Sequence, residues 1–134
     1  MTVISHLSRT LLALALSLPA LAMAGDVIVI SHSSLNMPAG DIRDAYIGEK
    51  QIEGGTKLVI FDNAALQKDF LDKVVQVDSA KYSSIWTKKG FREGLNPPAV
   101  KATDAEVIAA VKSTPGAVGY VSKAPADVKV VKKF

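Results

Sequence analysis

A helix pattern that halts at a Pro-Gly pair and gives way at once to a short apolar run constrains this chain more than anything else in it. Val107, Ile108 and Val111 recur at helical spacing, Thr114-Pro115-Gly116 ends the pattern, and Ala117-Val118-Gly119-Tyr120-Val121 follows. Proline cannot continue the helix, and glycine suits the left-handed residue just past a helix end. A continuous apolar run bounded by such a stop predicts a buried strand. Gly119 inside that run predicts close approach of a neighbouring backbone. Upstream, Thr103-x-x-Glu106 is a capping box, in which hydroxyl and carboxylate each satisfy a free amide, so the helix is expected to start there.

The same alternation runs through the rest of the chain. Asp26-Val-Ile-Val-Ile-Ser31 predicts a first strand covered on both faces, ending in His32-Ser33-Ser34 and a loop through Pro38-Ala39-Gly40. A short helix is expected from Asp41 to Ile47, capped by Asp41 and halted at Gly48. Gly54-Gly55 reads as a turn and Lys57-Leu-Val-Ile-Phe61 as a second apolar strand. Asp62 or Asn63 is placed to cap a longer helix whose Leu66, Phe70, Leu71 and Val74 form one stripe. Ser79 opens another helix, with Tyr82, Ile85 and Trp86 on one face. Lys88 to Val100 reads as a loop, and Val128 to Val131 as a final strand after a turn at Pro125. Strands alternating with helices predict a three-layer αβα domain, class α/β, around a short mixed sheet.

Residues 1–24 read as a secretory signal. Arg9 precedes an apolar core from Leu11 to Leu18, and Ala22-Met23-Ala24 is a small-x-small cleavage site before Gly25. The apolar run is too short for a membrane span. The expectation is therefore a cleaved signal peptide (1–24), a single α/β domain over 25–134 and a periplasmic location. The chain has no cysteine, which removes disulfides and thiol chemistry, and His32 is the one histidine after residue 24. Paired-histidine catalysis and His-rich zinc sites are thereby closed off. A net charge of +3, dispersed except for Lys129, Lys132 and Lys133, does not make a nucleic-acid surface.

Four stretches, in order, resemble one family. Asp41-Ile-Arg-Asp-Ala-Tyr-Ile-Gly48, Ala64-Ala-Leu-Gln-Lys-Asp-Phe70, Trp86 with Phe91 and Pro97-Pro98, and Thr114-Pro-Gly-Ala-Val-Gly-Tyr-Val121 are similar to motifs of the phosphate ABC transporter substrate-binding proteins and their small relatives. The resemblance implies one lobe of a type II periplasmic binding protein fold, binding phosphate or another small oxyanion for transport or sensing. It implies a membrane transporter or sensor as partner, and a second copy of the chain is a candidate to complete the site.

Two groups of residues are candidates for the oxyanion. Ser31, Ser33 and Ser34 follow the first strand directly, and in open α/β sheets ligands collect beyond the carboxyl ends of strands. The same serines equally suit a polar loop that caps its own turn. The resemblance implies the second group, Asn63, Ala64 and Ala65, where backbone amides at a helix start favour an anion. The family's hydroxyl donors are replaced there by alanines. No metal or cofactor is expected, and no enzyme activity, because activating a serine needs a base and His32 points to the face opposite its strand neighbours. The alternative function is a lobe without ligand, serving as an interaction module for a membrane transporter or sensor.

Overall fold

A computed structural model describes residues 25–134; the expected signal peptide lies outside the described residues. Among the described residues seven strands and four α-helices follow one another: β1 (Ile28–Ser31), α1 (Ile42–Tyr46), β2 (Ile52–Glu53), β3 (Thr56–Lys57), β4 (Val59–Asn63), α2 (Gln67–Phe70), α3 (Ser79–Glu93), β5 (Ala99–Lys101), α4 (Asp104–Ser113), β6 (Ala117–Val121) and β7 (Lys129–Lys133). Five strands form one mixed sheet in the order β5-β4-β6-β1-β7, and β2-β3 form a separate hairpin. The strands β5, β4 and β6 are mutually parallel, whereas β1 runs antiparallel to both β6 and β7.

Period-two alternation divides the core. Ile30, Phe61, Ala117 and Val121 pack against Val107 and Val111 of α4 on one face. Val29, Val118 and Tyr120 pack on the other face against Tyr46, Phe70 and Trp86 from α1, α2 and α3. Helices thus cover both faces of a mixed sheet, and the fold is the expected three-layer α/β domain. No described helix is long and apolar enough to cross a membrane.

The helix–stop–strand junction forms as its residues dictate. Thr103 Oγ1 accepts from Glu106 N at 3.3 Å, and Gly116 adopts φ +83°. Gly119 serves close packing of a different kind from that expected. Its neighbours are side chains of α4: a Cβ there would lie 2.6 Å from Val107 Cγ1 and 3.2 Å from Val111 Cγ2. Gly119→Ala therefore overpacks the α4 face and is expected to cost about 1–3 kcal/mol. Denaturant midpoints measure it, and adding Val107→Ala to Gly119→Ala should recover part of the loss by removing the clashing methyl.

Other boundaries differ from expectation for local reasons. The segment Ala39–Asp41 is a 3₁₀ turn and α1 starts at Ile42; Asp41 makes no cap bond and instead pairs with Lys50 at 3.3 Å. Lys57 belongs to the hairpin across from Ile52, and the sheet strand begins at Val59. That strand runs on through Asn63, so neither Asp62 nor Asn63 caps a helix; α2 starts at Gln67 and passes into a π-helical turn, Leu71–Val75. The helix α3 does open at Ser79 as expected, with Asp78 as its cap accepting from Lys81 N at 2.7 Å. The helix α3 runs to Glu93 and ends at Gly94 (φ +68°), so the segment read as a loop holds its last turn and, at Ala99–Lys101, strand β5. The last strand lies two residues later than expected at its end, at Lys133.

Candidate functional site

Because β1 is antiparallel to β6, the two groups of candidate residues sit at opposite ends of the sheet. Ser31 lies across from Val118, near the start of β6, and Ile28 lies across from Val121 at its end. The parallel strands finish together at Asn63, Lys101 and Val121. The ligand rule for open α/β sheets applies to the carboxyl ends of parallel strands. It therefore points to the Asn63 edge, not to the serines.

At that edge the donors are already engaged. Asn63 is fully buried; its Nδ2 donates to Asp104 Oδ1 at 2.8 Å and to Tyr120 O at 3.0 Å, while its Oδ1 accepts from Ala65 N at 3.1 Å. Ala64 N donates to Lys101 O at 2.8 Å. The other oxygen of Asp104 accepts from Ser122 N at 2.9 Å and from Ser122 Oγ at 2.5 Å. Partial burial opposes ionisation of Asp104, but the bonds from Ser122 and Asn63 outweigh it and hold the carboxyl below the usual aspartate range. A carboxylate of the chain itself thus takes the side-chain donors that an oxyanion would meet at this edge.

Around the serines the arrangement is more open. Ser31 is 2% exposed and its Oγ has no hydrogen-bond partner among the described residues. It lines a hollow of about 190 Å³ with His32, Ser33, Lys112, Asp127 and Lys129. Ser31 and Lys129 also line an adjoining hollow of about 290 Å³ beside Asn36 and Met37. Ser34 is committed to structure: its Oγ accepts from Gly116 N at 3.1 Å and contacts His32 Nδ1 at 2.9 Å. Ser34 N donates to the same Nδ1 at 3.0 Å, which fixes Nδ1 as acceptor and leaves the proton of neutral His32 on Nε2. Lys129 Nζ donates to Leu35 O and Asn36 Oδ1, each at 2.5 Å, with one N–H remaining. Lys112 pairs with Asp127. Ser33 is exposed.

One buried acid was not anticipated as such. Asp62 is 1% exposed and its carboxylate accepts from Tyr82 Oη at 2.9 Å and Tyr120 Oη at 2.7 Å. Burial raises its pKa against the lowering effect of those bonds. Among the described residues no cluster of three His, Cys, Asp or Glu side chains is placed to hold a metal ion.

No protein-family model matches the sequence, and no curated protein matches it. Among solved structures the fold is similar to a protein described as a phosphate ABC transporter substrate-binding protein, with bound phosphate, from Clostridium perfringens. That likeness has a TM-score of 0.50 and 15% identity, and covers 81% of this chain and 45% of that one. It is similar also to an ABC-type phosphate transport receptor from Vibrio cholerae, with a TM-score of 0.50 and 13% identity, over 81% of this chain and 46% of that one. The chain spans less than half the length of either. At these identities the likeness is one of fold: the α/β domain matches a lobe of these binding proteins.

Proposed function

We propose that this chain carries a solute-binding lobe that takes a small oxyanion, phosphate above all, for a transport or sensing system in the periplasm. The observation that carries the reading is Ser31, whose buried Oγ has no hydrogen-bond partner among the described residues and which borders a hollow with Lys112, Asp127 and Lys129. A buried donor left unpaired is costly, and an oxyanion oxygen would satisfy it with a charge-assisted bond. Ser33 Oγ, His32 Nε2–H and the remaining Lys129 N–H supply further donors from the same loop and strand. The fold of the phosphate-binding neighbours supports the ligand class. Residues Asn63, Ala64 and Ala65 contribute to a second contact only if Asp104 releases the Asn63 amide and the Ala64 and Ala65 N–H groups leave Lys101 O and Asn63 Oδ1.

Calorimetric titration with inorganic phosphate and sulfate tests the reading. Saturable phosphate binding is expected, and Ser31→Ala should weaken it by roughly 10- to 150-fold, the range for a hydrogen bond to a charged group. Ser31→Ala removes an unsatisfied hydroxyl, so it leaves folding intact and isolates the binding effect. Absence of saturable binding at millimolar phosphate overturns the reading.

A second reading rests on Asp104. With the carboxyl edge closed by its own carboxylate, the lobe works as an interaction module for a membrane transporter or sensor. It gains if the titration is silent and cross-linking in cells joins the chain to a membrane protein.

A further inference from the structure

A hollow of about 380 Å³ lies elsewhere and shares no lining residue with those around Ser31. The start of β4, the hairpin, α3 and the segment from Gly94 to Ala99 enclose it. Its floor is apolar, with Trp86, Leu58, Phe61 and Pro98 all buried at its edge. Trp86 Nε1 donates to Tyr46 O at 3.0 Å, so the indole is fixed and presents carbon surface to the groove. The only charged residues lining it are Lys50 and Lys57. Lys50 is shared between Asp41 and Glu53, whereas Lys57 is exposed and makes no ion pair among the described residues.

We infer that this groove binds a small organic anion: a flat apolar body seated by Trp86, with its acidic group at Lys57. Pockets for small molecules combine an apolar lining with a few placed polar groups, and their volumes start near ~300 Å³. This groove stands at the lower end of that range, which suits a molecule of two or three rings. Lys57 is the lining charge left without a counter-charge among the described residues, and the ligand that complements it is anionic. An inorganic oxyanion has no apolar surface to bury here, so the site is separate in chemistry as well as place from the one at Ser31.

Trp86 is the only tryptophan in the sequence, so its fluorescence reports on the groove directly. The full chain is titrated with anilinonaphthalene sulfonate, and with phenylnaphthylamine as a body of the same shape without the acid. The sulfonate should quench Trp86 saturably, and bind about fivefold more tightly than phenylnaphthylamine, the scale of one exposed charge pair. Lys57→Gln should erase that difference, and Ala99→Phe, which fills the groove from β5, should weaken both dyes. Millimolar phosphate should leave sulfonate binding unchanged. Equal affinity for the two dyes, indifference to both substitutions, or displacement by phosphate each overturns the proposal.

Discussion

Phe70→Ala is expected to lower the stability of the domain by about 3–5 kcal/mol, the range for removing a buried phenylalanine ring. Phe70 ends α2 and is fully buried. Its ring is stacked on Tyr120 with centroids 3.8 Å apart and planes 2° from parallel, and it meets Tyr46 edge-on at 4.6 Å. One side chain therefore joins α2, α1 and the central strand β6, and its removal leaves a cavity that three elements would have to close. With no disulfide to limit the unfolded chain, a loss of this size is a large share of the ~5–15 kcal/mol typical of a domain. Urea denaturation followed by circular dichroism and by Trp86 emission measures it. Phe70→Leu keeps most of the volume and should cost far less. An unchanged midpoint for Phe70→Ala would show that the stacked cluster does not hold the α1–α2 layer to the sheet.

That cluster shows what the sequence made legible and what it did not. Phe70, Leu71 and Val74 announce a buried stripe by their spacing, and all three are buried. Trp86, Val118 and Tyr120 are core as their patterns imply. The αβα layering follows from alternating elements, because each apolar face has to be covered. Strand direction is another matter. Nothing local in Ile28–Ser31 says that it pairs antiparallel with β6, since that choice is made by residues some ninety positions away. Strand direction also bears on the site: the rule about carboxyl ends belongs to the parallel strands, and β1 is the one inner strand that runs the other way. Asp104 was hidden for a related reason. It follows the capping Thr103, and an acid in the first turn of a helix is ordinary. Only the fold brings Asn63 and Ser122 to its two oxygens. Lys112 and the neighbouring Asp127 and Lys129, around Ser31, are likewise far from it in sequence and carry no motif.

The second large effect concerns Asp62, whose surroundings are set by three elements. Tyr82 of α3 and Tyr120 of β6 donate to its two oxygens, Tyr46 of α1 lies close by, and no lysine or arginine pairs with it among the described residues. Burial disfavours the charged carboxylate, the hydrogen bonds favour it, and burial prevails, so the carboxyl keeps its proton to higher pH than in the unfolded chain. The sign of the linkage follows. Over the interval between the unfolded and folded pKa values the native state binds more protons, so stability falls as pH rises through that interval. The acidic form is the better buried one. Asp62→Asn cannot ionise, retains an oxygen to accept from one tyrosine, and should flatten the stability profile from about pH 4, the ordinary aspartate value, upward. Asp62→Ala should be much worse. It strands the hydroxyls of Tyr82 and Tyr120 inside the core, each costing about 1–3 kcal/mol. Denaturation midpoints of the three proteins across that pH range decide the matter. A wild-type profile that rises with pH over that interval, or an Asp62→Asn profile that parallels the wild type, would mean that the tyrosine bonds outweigh burial and that Asp62 is held as a carboxylate.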